Sequence, residues 1–174
     1  MTQLASQPGK LLAPVLAELG LDHEVHGSQE ATVRHGDLKF NVTLRVERHF
    51  LMRIEIAEFT VLMKLEGEPG KIELGHRGKR GRTRITALPV PNRADLEAIS
   101  ERLARSRTFE NAFVGLDSKR ATVEIGPGLS VGRIRHIGFS RVVMAFPPTQ
   151  KYVTAGPHQV EALIATLREL ARFE

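Results

Sequence analysis

Residues 38–47 alternate without a fault. Leu38, Phe40, Val42, Leu44 and Val46 are separated by Lys39, Asn41, Thr43, Arg45 and Glu47. A period of two puts successive side chains on opposite faces of an extended chain, so this run is a strand with one buried and one wet face. Strands of that kind belong to antiparallel sheet covered on one side. Further strands are expected through Met52, Ile54 and Ile56, and through Phe59, Val61, Met63 and Leu65. Shorter ones are expected at Ile72–Leu74 and Ile85–Leu88. Gly67-Glu68-Pro69-Gly70 and Gly126-Pro127-Gly128 read as turns.

Helical spacing brackets these strands. Leu11, Leu12, Val15, Leu16 and Leu19 recur every three or four residues, with Pro14 in the first turn and Gly20 as the stop. After Pro89-Val90-Pro91, Asn92 reads as an N-cap, and Leu96, Ile99 and Leu103 follow at helical spacing. A second set of strands is expected over roughly 109–146. Pro157 then opens a helix over 157–173, whose stripe of Val160, Leu163, Ile164, Leu167 and Leu170 reads as a docking face. Ala31-Thr32-Val33 with Gly36 recurs as Ala121-Thr122-Val123 with Gly126, 90 residues on. The expectation is therefore an α+β domain over 1–174: a curved antiparallel sheet with about three helices. It would hold two duplicated α–β units of four or five strands, at 8–88 and 92–153, plus the C-terminal helix. This order of elements is similar to that of the small secretion chaperones, which set helices against a curved antiparallel sheet. Those proteins are typically acidic dimers, whereas this chain is basic. No residue motif carries the likeness, which implies a layout and no function.

At 174 residues, 41% hydrophobic and 26% charged, the chain can bury one sizeable core. The absence of cysteine removes disulfides, thiol nucleophiles and thiolate metal sites. Met1–Lys10 lacks the basic-then-apolar layout of an export signal, so the cytoplasm is the expected compartment. The net charge of +5 equals the charge of one segment, 76–84, in which Arg77, Lys79, Arg80, Arg82 and Arg84 stand among glycines with no acid. Cations on such a loop can contact phosphates. The segment holds no aromatic residue for base stacking, so nucleic-acid readout is not expected.

No nucleotide, metal or nucleophile motif stands out, and no cofactor is expected. His23 and His26 lack a third ligand at metal-site spacing, and His49 and His136 read as structural. Lys39, Arg45, Arg53, Arg133, Arg135 and Arg141 would make the outward sheet face mildly cationic, diluted by Glu47, Glu55 and Glu124. The leading expectation is a non-enzymatic binding domain that takes a small apolar ligand or partner segment in a groove between sheet and helices. The alternative is a phosphate contact through 76–84. An enzyme whose site assembles only in the fold comes third, and a dimer is compatible with the sequence.

Overall fold

A computed structural model describes residues 11–77 and 84–174. The chain is mixed α+β, with nine strands in one open antiparallel sheet and four helices among the described residues. The first helix, α1 (Leu12–Leu19), buries Leu12, Val15, Leu16 and Leu19. It ends where Gly20 takes φ +62° and donates its N–H to the Leu16 carbonyl, the left-handed stop that glycine adopts at least cost. Six strands follow: β1 (Asp22–Val25), β2 (Glu30–His35), β3 (Leu38–Arg48), β4 (Met52–Met63), β5 (Gly70–Arg77) and β6 (Arg84–Val90). Next come α2 (Ala94–Arg105) and α3 (Arg107–Val114), then β7 (Ser118–Ile125), β8 (Ser130–Met144), β9 (Thr149–Val153) and α4 (Pro157–Arg172).

The sheet runs β1-β2-β3-β4-β8-β7-β5-β6. Strand β8 has two partners in succession on one side: residues up to His136 pair with β7, and Ser140–Met144 pair with β9. The helices cover one face and form with it a single apolar core. Helix α4 lies on β3, β4 and β8, and α2 lies on β5 and β6. The approach is close. A Cβ on Gly132 of β8 would stand 2.9 Å from Leu170, and one on Gly70 of β5 would stand 2.6 Å from Leu96.

Several expectations change. The segment 107–114 is helix α3 rather than strand, because Ser106 caps it by accepting the Phe109 N–H and because Phe109 and Phe113, four apart, are both buried. The fold thus has four helices rather than about three. The equal four- or five-strand units expected from the repeat are also not what the sheet has: six strands follow α1 and three follow α3. Arg93, not Asn92, occupies the N-cap of α2, where its guanidinium bonds Asp95 and the carbonyls of Glu68 and Pro69. The two strands expected at 52–56 and 59–65 are one strand, β4. The change of phase between Ile56 and Phe59 looked like a break, but it marks a change in which face is apolar.

Candidate functional site

The outward face of the sheet collects charge around one residue. Thr43 pairs with Glu58, which places the Glu58 side chain opposite the helices, yet that side chain is only 4% exposed. Arg45 of β3 donates Nε and Nη2 to Oε1 at 3.0 and 2.9 Å, and Arg135 of β8 donates Nε to Oε2 at 2.7 Å. Arg133 approaches at 3.6 Å and also bonds Glu124 of β7 at 3.0 Å. Glu47 is paired with Lys119, and Glu73 with Lys71 and Arg120. Burial pushes the Glu58 carboxyl up, but the hydrogen bonds from Arg135 and Arg45 outweigh it and hold the group below the usual carboxylate range. A carboxylate held ionised by guanidiniums is a poor proton acceptor near neutrality. The depression beside it, of about 110 Å³, is lined by cations that already have carboxylate partners. The network clamps β3, β4, β7 and β8 together, and the cationic face expected there is neutralised pair by pair.

Farther along β4 and β8 the polarity of the sheet inverts. On β8 four residues, 136–139, stand between Arg135 and Ser140, where β4 has one, Ala57, between Glu58 and Ile56. In this bulge Phe139 takes φ +50°, a strained value for a residue with a side chain. His136 at its start is fully buried, and its Nε2 donates to Gln159 Oε1 at 3.0 Å. That oxygen also accepts the Asp117 N–H, while Gln159 donates to the Gly115 carbonyl. Burial lowers the His136 pKa, so the ring is neutral with its proton on Nε2. Beyond the bulge Arg53, Glu55 and Arg141 lie on the helix side, and Arg141 bonds Glu55 at 2.9 Å. Sequence alternation had put Arg53 and Arg141 outward; the bulge and the phase change reverse them. The outward face instead carries Ile56, Ile54 paired with Val142, and Met52 paired with Met144.

This apolar strip ends at two adjacent hairpin tips. The β3–β4 connection is His49-Phe50-Leu51, and the β8–β9 connection is Ala145-Phe146-Pro147-Pro148. The Ala145 N–H donates to the Leu51 carbonyl at 2.9 Å, which ties the tips together. Phe50 is 98% exposed and Phe146 77%, whereas Phe40, Phe59, Phe109, Phe113 and Phe139 are buried. Of the eleven exposed large hydrophobic residues among the described ones, six lie at this end: Val46, Phe50, Leu51, Met52, Met144 and Phe146. Arg48, His49 and Arg53 border a shallow depression of about 330 Å³ between the tips. Clustering of this kind marks contact surfaces, whereas scattered apolar residues do not.

The sequence model of a family described as Protein of unknown function (DUF3156) matches residues 16–173. The chain belongs to the DUF3156 family. The match runs from within α1 to just past the end of α4, so it takes in both hairpin tips and the Glu58 network. No curated protein and no solved structure matches the chain.

The remaining expected site residues fall as follows. Lys79, Arg80 and Arg82 lie outside the described residues. Arg77 and Arg84 are register partners that end the β5–β6 hairpin, and Arg84 is exposed. The pairings of β5 with β7 and β7 with β8 direct that hairpin toward the same end of the sheet as Phe50 and Phe146. His23 and His26 lie in and just after the edge strand β1, where they bond the Leu21 carbonyl and Thr32 Oγ1. Sequence reasoning missed Phe50, Phe146 and Leu51 as site residues. Their signal was present: a break in strand pattern occupied by Phe-Leu where turns carry Gly, Asn or Asp.

Proposed function

We propose that this DUF3156 protein is a non-enzymatic binding domain whose contact surface is the pair of hairpin tips. The observation that supports this reading is the outward placement of Phe50 and Phe146 on neighbouring tips, while five of the chain's eight phenylalanines are fully buried. Folding does not require apolar side chains at those two positions, since removing their apolar surface from water happens only on contact with something else. The receiving surface expected between sheet and helices moves to the tips because the helices lie so closely on the strands. A depression of about 350 Å³ does open at the edge between α1 and α4, but Glu18 beside it is already committed. That carboxylate accepts the Ala155 and Gly156 N–H groups and the Tyr152 hydroxyl.

The test is binding of the apolar dye anilinonaphthalene sulfonate to the folded protein. Wild type should enhance its fluorescence, and the F50S/F146S double variant should lose most of that signal. An undiminished signal in the variant would end the reading. A second reading keeps the basic segment as a phosphate contact through Arg77, Lys79, Arg80, Arg82 and Arg84, favoured by the direction of the β5–β6 hairpin. Replacing those five residues by Ser should remove a salt-sensitive affinity for phosphate polymers; retention of it would dispose of that role.

A further inference from the structure

We propose that the surface these tips contact is an anionic phospholipid membrane, with Phe50 and Phe146 entering the boundary between headgroups and acyl chains. The proposal rests on the reading of the tips as the contact surface. Three observations identify the occupant. The tips protrude, and a fluid apolar layer accepts protruding aromatic side chains without a matching pocket, as interfacial segments do. The two tip segments are also one-signed. Residues 48–53 and 143–151 contain Arg48, Arg53 and Lys151, with His49 beside them, and no Asp or Glu. Lastly, Arg48 stands directly opposite Arg53 across the β3–β4 ladder. Like charges facing each other weaken a hairpin. Glu55 pairs with Arg53 at 2.9 Å, whereas Arg48 has no ion pair among the described residues. A layer of phosphates relieves that repulsion, and an apolar protein surface does not.

The inverted polarity gives the docked orientation. The outward strip of Met52, Ile54, Val142 and Met144 is apolar, flanked by Glu47 opposite Ile54 and by Lys151 opposite Val142, and the opposite face at the same end carries Arg48, Arg53, Glu55 and Arg141. The sheet end therefore leans its outward face toward the acyl boundary and holds its cations at the phosphates. Each cation near an anionic surface strengthens binding about fivefold, and each inserted Phe about tenfold or more.

The chain has no tryptophan, so F50W supplies a single reporter in the full-length protein. With vesicles of phosphatidylcholine and phosphatidylglycerol its emission should shift to the blue and be quenched by brominated acyl chains. Vesicles of phosphatidylcholine alone should produce neither effect. In co-sedimentation F50S/F146S should lose about a hundredfold in affinity for the mixed vesicles. R48Q/R53Q should lose about tenfold or more and show a flatter salt dependence. L62S, at an exposed leucine on the far part of β4, should bind as wild type does. Circular dichroism checks that each variant is folded. Equal binding by F50S/F146S, equal binding to neutral vesicles, or sedimentation without a change in the F50W emission would each overturn the proposal. So would the absence of vesicle binding. If the tips still took up the dye in that case, the contact reading would stand and its partner would be a protein.

Discussion

Glu58 shows how one residue can have a role that its neighbours in sequence do not announce. Its position on β4 is a wet-face position, and its near-complete burial arises because Arg45, Arg133 and Arg135 lie over it. Removing its charge leaves three guanidiniums facing one another, but they are partly in water, which softens the cost. Glu58→Gln should destabilise the fold by about 2 kcal/mol, measured by urea denaturation at neutral pH. The pH dependence follows from the lowered carboxyl value. A group whose folded pKa lies below its unfolded value stabilises fully above the unfolded value of about 4.3, and loses that contribution as pH falls through the folded one. Wild type should therefore lose stability in that acid window, and the Gln variant should lose less there. Parallel acid limbs for the two proteins would mean that the Glu58 network contributes nothing to stability.

Among the elements, β8 organises the molecule because its bulge lets it serve β7 first and β9 second. The bulge is pinned by the Ile137 N–H to the Asp117 carbonyl at 2.8 Å and by Ser140 Oγ to the Ile137 carbonyl at 2.8 Å. At its centre the chain passes against the β9–α4 connection. A Cβ on Gly138 would stand 2.6 Å from Ala155 Cα and 2.7 Å from its Cβ. Backbone cannot withdraw as a side-chain tip can, so Gly138→Ala should cost about 3 kcal/mol, read from the denaturation midpoint. Gly132→Ala, whose nearest neighbour is the flexible end of Leu170, should cost less. A reversed order of the two would show that β9 and α4 can shift away from the bulge. Helix α4 itself was legible from its stripe alone, as was α1 from its leucines and Gly20. Helix α3 was not, because eight residues carrying two phenylalanines fit either period until Ser106 is seen to cap it.

For the molecule as a whole, core and contact surface are separate regions. Phe50 and Phe146 take no part in the apolar core, so F50S/F146S should leave the thermal midpoint near that of wild type, within about 0.5 kcal/mol of stability. A large loss of stability would mean that the tips are packed in solution and not free to dock. Among the described residues no helix is long and apolar enough to cross a membrane. The proposed contact is one of a surface resting on a bilayer.

The sequence by itself determined strand β3, the two outer helices, the turns at 67–70 and 126–128, and the α+β class. Each of these follows from local periodicity and from residues with restricted backbone freedom, which act over a few positions. Tertiary structure alone decided which face the side chains of β4 and β8 present. A bulge shifts alternation by amounts that no local pattern reveals, and it turned Arg141 away from Arg133 and Arg135. On β4, whose register with β3 is unbroken, the apolar residues change face, which leaves Arg53 on the helix side. It also decided that two tips 96 residues apart, at Phe50 and Phe146, stand side by side. Strand pairing sets that adjacency, through hydrogen bonds between backbones whose distance in sequence carries no trace of it.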